Sequence, residues 1–385
     1  MPGDRLRIAI CLLYYVPHRT GLTIYVQRIA EELVRRGHEV AVLSARYSHL
    51  LPRDEVAGVR VVRLLAPIKI SRGMLMPAYP WAFYALAREH DVISVHTPLL
   101  ETALIAALSR LAGKPVVITH HGDLILPNGL LNRFIQATMF QFYKVLAKRA
   151  SRIIAYSHDY ADHSYYLAPF RDKVSVIYPP VDMPAPNPER VARLRALWGR
   201  GGGPIIGYAG RFVEEKRPDV LIRALDTINA AYPNARVVFA GEYDIKYEHT
   251  WEKQYALTRS YASQLTFLSL HDDMQFMADF YAACDVLVLP SDTECLGLVQ
   301  VEAMLCGTPV INTDIPGARE AVRVTGMGLT VPPGDPAALG RAVIQVVANR
   351  ARYVKPRAEI ERAYSFKETV DRYERAFREA VERKS

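Results

Sequence analysis

No apolar run in this chain approaches the ~20 residues that a membrane-crossing helix needs. The longest, such as residues 8–16 and 285–290, are of strand length, which excludes a helical membrane protein. Arg5 and Arg7 precede a short apolar stretch, yet no small-residue cleavage site follows and the stretch runs into Pro17. Export is therefore not expected. Cysteine is scarce: Cys11, Cys284, Cys295 and Cys306 form no C-x-x-C pair and have no metal-like spacing with histidine. A disulfide framework and a zinc site are excluded on that count, and a reducing cytoplasm is the expected compartment. No G-x-G-x-x-G follows a strand-like run, which argues against an NAD-dependent oxidoreductase. No short-period repeat is present.

What the chain does have is length and apolar content: 385 residues, 50% of them hydrophobic, are more than one core usually organises. Two domains are expected. The charge divides unevenly along them. Residues 1–180 hold 22 Lys and Arg against 13 Asp and Glu, a net +9, while residues 181–385 hold 26 against 27. A field of that sign draws anionic partners such as phosphate-bearing lipids or a membrane surface, or else serves as a solubilising surface.

Strand-like runs alternate with amphipathic stretches, the pattern of parallel sheets built from βαβ units. In the first half the runs are residues 7–13, 38–43, 59–64, 92–96 and 115–120, with a helix over 22–36 ended by Gly37. In the second they are 205–209, 237–240, 265–267, 286–289 and 309–312. Residues 178–188 carry Pro179, Pro180, Pro184, Pro186 and Pro188, too many for either element, and mark the boundary. The reading is an N-terminal Rossmann-like domain over 1–180, a C-terminal one over 181–365, and a last helix over 366–385 that packs back on the first.

Two places in the second half carry chemistry. After the run 205–209 come Gly210 and Arg211, with Lys216 five residues on, at the carboxyl end of a parallel strand where ligands bind in open α/β sheets. Fixed cations there can stabilise the charge on a departing diphosphate, or form a solvated loop pair. The second place is Ser291-Asp292-Thr293-Glu294-Cys295-Leu296-Gly297-Leu298-Val299-Gln300-Val301-Glu302, a strand-to-helix passage. Gly297 lets a ligand approach the backbone, and the free N–H groups of a helix start attract phosphate. Glu294 and Glu302 repel phosphate but accept hydrogen bonds from hydroxyls, so sugar and ribose are the sensible guests. The competing structural reading makes Glu294 a helix cap and Glu302 a surface residue.

Here the chain resembles the retaining glycosyltransferases of the GT-B fold in family four. Glu294 and Glu302 match the family's E-x7-E motif. Glu302-Ala303-Met304-Leu305-Cys306-Gly307-Thr308-Pro309-Val310 is similar to its EAMACGTPV, and Gly326-Met327-Gly328-Leu329 with Val331-Pro332-Pro333-Gly334-Asp335 to its GxGLLVPPGD. The resemblance implies two Rossmann-like domains whose parallel sheets face an interdomain cleft. It implies that Arg211 and Lys216 bind the diphosphate, that Glu302 holds the ribose, and that Glu294 contacts the donor sugar. The backbone of Leu296, Gly297, Leu298 and Val299 is then expected to meet sugar and phosphate oxygens. His121, in Thr119-His120-His121-Gly122-Asp123, aligns with the histidine that faces the reacting sugar.

Departures are specific. Thr20-Gly21-Leu22 offers only Gly21 where the family has two adjacent glycines, and Cys295 and Leu296 stand where glycine or proline and phenylalanine are common. His120 takes a usually aromatic position, Tyr178-Pro179-Pro180-Val181-Asp182 replaces PNGVD, and Gly241-Glu242 keeps part of a glycine-rich turn. Base recognition is expected at the backbone of residues 268–272. The implied activity moves a hexose-type sugar from a UDP- or GDP-linked donor to a glycan or lipid-linked acceptor of envelope or polysaccharide biosynthesis, with retention. Neither a metal nor another cofactor is required, because Arg211, Lys216 and a helix terminus do the ion's electrostatic work. Alternatives are a non-catalytic nucleotide-binding member or partner subunit, and a phosphorylase or epimerase of the same fold. The expected partners are a nucleotide diphosphate sugar, its acceptor and an anionic membrane surface, with no nucleic acid. The membrane expectation rests on residues 69–76, read as an apolar loop, and on the helix over 130–149. In that helix Leu131, Phe134, Ile135, Phe142, Val145 and Leu146 are read as the core stripe, with Met139, Phe140 and Tyr143 outside it.

Overall fold

The protein is described from a computed structural model of the 385-residue chain, apart from residues 1–4, 19, 47–49, 71–72, 127–128, 244–249, 270–272 and 384–385 and the side chains of 69 and 70. It divides into two compact units, Met1–Pro180 with Phe366–Ser385, and Val181–Ser365. Between them residues 177–187 are neither helix nor strand, until Asn187 caps the helix Pro188–Trp198.

The first unit contains β1 (Arg7–Cys11), β2 (Glu39–Ala45), β3 (Arg53–Val56), β4 (Val59–Leu64), β5 (Ile68–Ile70), β6 (Gly73–Leu75), β7 (Val92–Thr97), β8 (Val116–His120), β9 (Arg152–Ala155) and β10 (Val174–Val176). Eight of these form one sheet in the order β10-β9-β8-β7-β1-β2-β4-β3, while β5 and β6 pair separately. All sheet neighbours are parallel except β3 on β4. Every residue of β7 and β8 is buried, as expected of strands covered on both faces; both begin on apolar residues without alternation and turn polar toward their carboxyl ends, at His96, Thr97, Thr119 and His120.

The connection after β1 enters the helix Gly21–Arg35 through a capping box: the Thr20 hydroxyl accepts from the Thr23 amide at 3.3 Å, and the Thr23 hydroxyl from the Thr20 amide at 2.7 Å. That helix buries Tyr25, Val26, Ile29 and Leu33. The chain reverses at Gly37, whose φ of 92° suits glycine. The final helix, Phe366–Glu382, belongs to this unit and buries Val370, Tyr373 and Phe377.

The second unit holds β11 (Ile205–Ala209), β12 (Arg236–Ala240), β13 (Leu265–Leu268), β14 (Val286–Leu289), β15 (Val310–Thr313) and β16 (Gly328–Val331), in the order β13-β12-β11-β14-β15-β16. All pairs are parallel. Numbered within the unit this is 3-2-1-4-5-6, the Rossmann order. One face is covered by the helices Pro218–Asn229 and Pro336–Ala348, which bury Leu221, Leu225, Ile228, Leu339, Val343 and Val346. Full burial of each such side chain is worth about 1.5–3 kcal/mol. The helices approach closely because position 340 is glycine; a Cβ there would lie 2.6 Å from the Thr227 Cβ.

Each sheet has one topological switch point, between β1 and β7 in the first and between β11 and β14 in the second. Ligands of open α/β sheets collect outside the carboxyl ends of such strand pairs.

Three sequence expectations are corrected. The edge strands β3, β10 and β16 and the inner strand β9 were not predicted; at three or four residues each they are too short to show a period. The apolar stretch over 69–76 is a β5–β6 hairpin, with Ser71 and Arg72 outside the described residues, and Met76 is buried in the core. The helix Leu130–Arg149 has the expected bounds and a different face inward. Tyr143, Leu146 and Ala147 are buried, whereas Leu131 and Phe134 are 72% and 70% exposed. Its inner face is set by His120, Tyr166 and Phe170 packing around Tyr143, partners that helical periodicity cannot identify.

Candidate active site

In the second unit the switch point lies between two loops that carry most of the residues singled out in the sequence. β11 ends at Ala209, and Gly210 follows with φ 149°. Gly210 and Gly241, which follows the neighbouring strand, approach so closely that a Cβ on Gly241 would lie 2.3 Å from the Gly210 carbonyl oxygen. Arg211 comes next, 39% exposed in its side chain, with an Nη2 3.6 Å from Glu215. One 3-10 turn, Glu214–Lys216, then directs Lys216 toward the loop after β14, where its Nζ forms an ion pair with Glu294 Oε1.

Glu294 is held from two sides. Lys216 reaches one oxygen, and the Ser291 hydroxyl donates to the same oxygen at 3.2 Å. It does not cap the following helix: the N-cap of Leu298–Leu305 is Gly297, with φ 74° and no side-chain cap bond. A Cβ on Gly297 would meet Leu289 Cδ2 at 2.7 Å, so the backbone passes here only as glycine. The loop is braced from beneath by buried Gln300, whose Nε2 donates to the carbonyls of Leu296 at 2.5 Å and Ala318 at 3.0 Å. Asn312 donates to Gln300 Oε1 at 2.7 Å. The Leu296 carbonyl is therefore engaged internally and its side chain is buried. The amides of Leu298 and Val299 lie in the first helical turn, where no intrahelical acceptor exists.

Glu302 sits one helical turn further in, and buried Tyr281 donates its hydroxyl to Glu302 Oε2 at 2.9 Å. It is thus anchored, not loose on the surface. Asp292 joins the two loops: its amide donates to the Glu215 carbonyl at 2.9 Å, and its carboxylate pairs with Arg217 at 3.1 Å. Tyr208, buried beneath, has its hydroxyl pKa pushed up chiefly by burial and then by the charge of Glu294, while Arg211 pulls it back. Ser291, Tyr281, Gln300 and Asn312 were not singled out in the sequence. Only the strand-to-helix passage that contains two of them, Ser291 and Gln300, hinted at a role. Of the residues 268–272 expected at the base, 270–272 lie outside the described residues.

Gly21 and His121 belong to the first unit. Gly21 is the exposed first residue of its helix, directly after the Thr20 cap. His121 follows β8, and both its ring nitrogens are occupied: Nε2 lies 2.7 Å from His96 Nδ1, and Nδ1 bonds the Tyr156 hydroxyl. His96 Nε2 is 3.3 Å from the Ser94 hydroxyl, so the chain Ser94–His96–His121–Tyr156 is continuous. Burial lowers the pKa of His121 well below the ordinary range, with His96 and His120 adding to it, and burial holds His96 near about 3. Both rings are neutral at pH 7. Tyr25 stacks on Tyr156 at 5.1 Å and meets His121 edge-on at 5.0 Å. Its hydroxyl bonds Tyr373 of the final helix at 2.5 Å, and Tyr373 bonds Thr119 at 2.9 Å. The neighbouring His120 points elsewhere, to Asp123 at 2.9 Å.

A phenol, two imidazoles and a serine in series were not foreseen, although His96 lies one residue from the end of its parallel strand, much as His120 ends the next. Glu101 was missed as well. It is 7% exposed, both carboxylate oxygens are buried with no partner from another residue among the described residues, and burial raises its pKa to about 7.

Comparison with known proteins meets this geometry at both units. Residues 195–365 match the model of glycosyl transferases group 1, and residues 19–183 that of glycosyltransferase family 4. The D-inositol 3-phosphate glycosyltransferase of Geodermatophilus obscurus is 30% identical over 390 residues, 94% of this chain and 85% of that one. The 2-deoxystreptamine N-acetyl-D-glucosaminyltransferase of Streptomyces fradiae is 29% identical, over 87% and 84%. Among solved structures, a sucrose-phosphate synthase from Thermosynechococcus elongatus superposes with a TM-score of 0.80 at 22% identity, covering 97% of this chain and 99% of that one. HepE of Anabaena, solved in complex with UDP, gives 0.78 at 20% identity, over 96% and 98%. These likenesses establish the GT-B fold. Two family models that divide the chain between them, and a 30% identical relative aligned over most of its length, show that the chain belongs to the group 1 glycosyltransferases of family 4 and is a transferase of sugars from nucleotide donors.

Proposed function

We propose that the enzyme moves a hexose-type sugar from a UDP- or GDP-linked donor to a glycan or lipid-linked acceptor of envelope or polysaccharide biosynthesis, with retention of anomeric configuration. The observation that carries the reading is the gathering of Lys216 and Glu294 in direct contact at the switch point of the second sheet, with Arg211 beside Lys216's turn and Glu302 one helical turn inward. Arg211 and Lys216 neutralise the diphosphate, the amides of Leu298 and Val299 and the Gly297 turn receive phosphate and sugar oxygens, and Glu294 accepts from the sugar hydroxyls. Glu302 accepts from the ribose. The HepE complexes with UDP and UDP-glucose support a UDP-linked hexose.

In the proposed reaction the bond from C1 to the diphosphate oxygen breaks while the acceptor oxygen bonds C1 on the same face. The acceptor's proton passes to the departing phosphate oxygen. The diphosphate's charge is met by side chains and a helix start, so EDTA-treated enzyme is expected to keep its activity. His121, with both nitrogens engaged, serves as a fixed neutral ring and not as a base.

The test is a thermal-shift panel of UDP, GDP, ADP and their sugar conjugates, in which a ligand at ~100 times its Kd adds roughly 2.7 kcal/mol. NMR of the product's anomeric proton then reads the configuration, and inversion overturns the retaining mechanism. A membrane-proximal acceptor is favoured by the helix Leu130–Arg149, where Leu130, Leu131, Phe134 and Val145 are 85%, 72%, 70% and 50% exposed on an element that also carries Arg133, Lys144 and Lys148. Among the described residues no helix is long and apolar enough to cross a membrane. Co-sedimentation with anionic vesicles at low salt is the expected outcome, and protein left in the supernatant overturns it.

A further inference from the structure

Lys216 and Glu294 are placed in contact before any donor is present, and this has a consequence for what the site prefers to hold. The Lys216 side chain is 23% exposed and that of Glu294 11%, so the pair is partly withdrawn from water and its charges are weakly screened. Ser291 adds a second donor to the same carboxylate oxygen. Arg211, the other cation of the loop, is opposed by Glu215 at 3.6 Å and is more exposed. A bare nucleoside diphosphate arriving at Lys216 therefore meets an ammonium already neutralised, with a carboxylate next to it that repels the phosphate. A sugar attached to the β-phosphate changes the balance, because its hydroxyls donate to the carboxylate and replace what Lys216 withdraws.

We propose that Glu294 is a specificity-determining gate that holds Lys216 away from diphosphate, so that the site discriminates the sugar-bearing donor from the bare nucleoside diphosphate. The inference rests on the assignment of this site to the donor. It extends to turnover: once the sugar has left, Lys216 and Glu294 re-form their pair and the diphosphate product is expelled. Asp292 supports the arrangement by tying its loop to the Glu215 carbonyl and Arg217, which keeps the two halves of the gate in register.

The experiment is calorimetry on wild type, Glu294→Gln and Lys216→Ala with the nucleoside diphosphate that most stabilises the wild type and with its glucose conjugate. Glu294→Gln keeps the shape of the side chain and one acceptor oxygen for Lys216 and removes the charge. It is expected to bind the bare diphosphate at least about threefold more tightly than wild type, since even exposed pairs contribute up to ~1 kcal/mol and this one is less exposed. Its affinity for the glucose conjugate falls or stays level, so the ratio of the two affinities shifts toward the product. In stopped-flow displacement, which needs no turnover, the variant releases the bare diphosphate more slowly. If Glu294→Gln binds the bare diphosphate as wild type does or more weakly, while Lys216→Ala loses affinity for it, the gate is overturned and the donor site stands. If Lys216→Ala leaves the affinity for the glucose conjugate unchanged, the donor-site assignment itself fails.

Discussion

At the carboxyl edge of the second sheet the polar side chains are charged and partly open to water: Arg211, Lys216, Glu294 and Glu302. At the same edge of the first sheet they are neutral rings and hydroxyls, chiefly His96, His121, Tyr25 and Tyr156, packed and bonded to one another. One fold thus presents two kinds of surface at equivalent places. Charged groups can exchange one partner for another when a ligand arrives, as Lys216 can exchange Glu294 for phosphate. The neutral cluster has no comparable freedom, since each nitrogen of His121 is already satisfied and burial penalises the charged form. Recognition of a polyanionic leaving group calls for the first kind, and a fixed wall for the second.

The contrast is broken most severely by removing the ring at the centre of the neutral cluster. Tyr25 is fully buried and contacts His96, His121, Tyr156 and Tyr373, so Tyr25→Ala is expected to destabilise the first unit by about 3–5 kcal/mol, read by denaturant unfolding. A loss below about 1 kcal/mol would show that the cluster is not a packed wall. In the charged region the expected cost is to catalysis: Lys216→Ala or Glu294→Gln lowers transfer at saturating donor by at least ~100-fold, while thermal unfolding of the apo-protein shifts little. Near wild-type turnover in either variant removes the site assignment.

Glu101 sharpens the comparison, because it is an ionisable group stranded in the neutral unit. Its folded pKa, raised to about 7, exceeds the ordinary carboxyl value, so the folded state holds its proton more strongly than the unfolded one. The stability this contributes is fully present below the ordinary carboxyl value of 4.5 and is lost as pH rises from there to about 7, because the unfolded chain gives up its proton first. Glu101→Gln is therefore expected to stabilise the protein at pH 8 by about 3 kcal/mol and to do almost nothing at pH 4. Equal effects at both pH values would contradict the buried-carboxyl account. The smallest effect is expected at Glu302, anchored by Tyr281: Glu302→Ala weakens nucleotide binding about tenfold with little change in kcat, since a ribose contact is shared by ground and transition states. Calorimetry with unchanged nucleotide affinity would count against the ribose role.

Much of the scaffold was legible from local pattern. β4 and the helix Leu130–Arg149 have the bounds read from the sequence, and β11 and β14 do too, because apolar runs and helix-stop glycines act over a few residues. The passage from Ser291 to Glu302 was recognisable for the same reason, as a strand, a glycine turn and a helix start in succession. Which face the helix Leu130–Arg149 turns inward was misread, since Tyr143 is drawn inside by rings that come from β8 and from residues beyond β9.

By itself the sequence determined the parts: parallel-sheet units of βαβ pattern, two strand-end loops bearing cations and carboxylates, and a chain with no helical membrane span to build. Tertiary structure alone decided their pairings. Lys216 reaches Glu294 across 78 residues because β14 lies beside β11 in the sheet order, and Tyr25 meets Tyr373 across 348 because the final helix packs on the first sheet. Strand order and helix docking are fixed by the summed burial of many side chains. No local period encodes them, so the contacts that set charge, protonation and specificity appear only once the whole chain has folded.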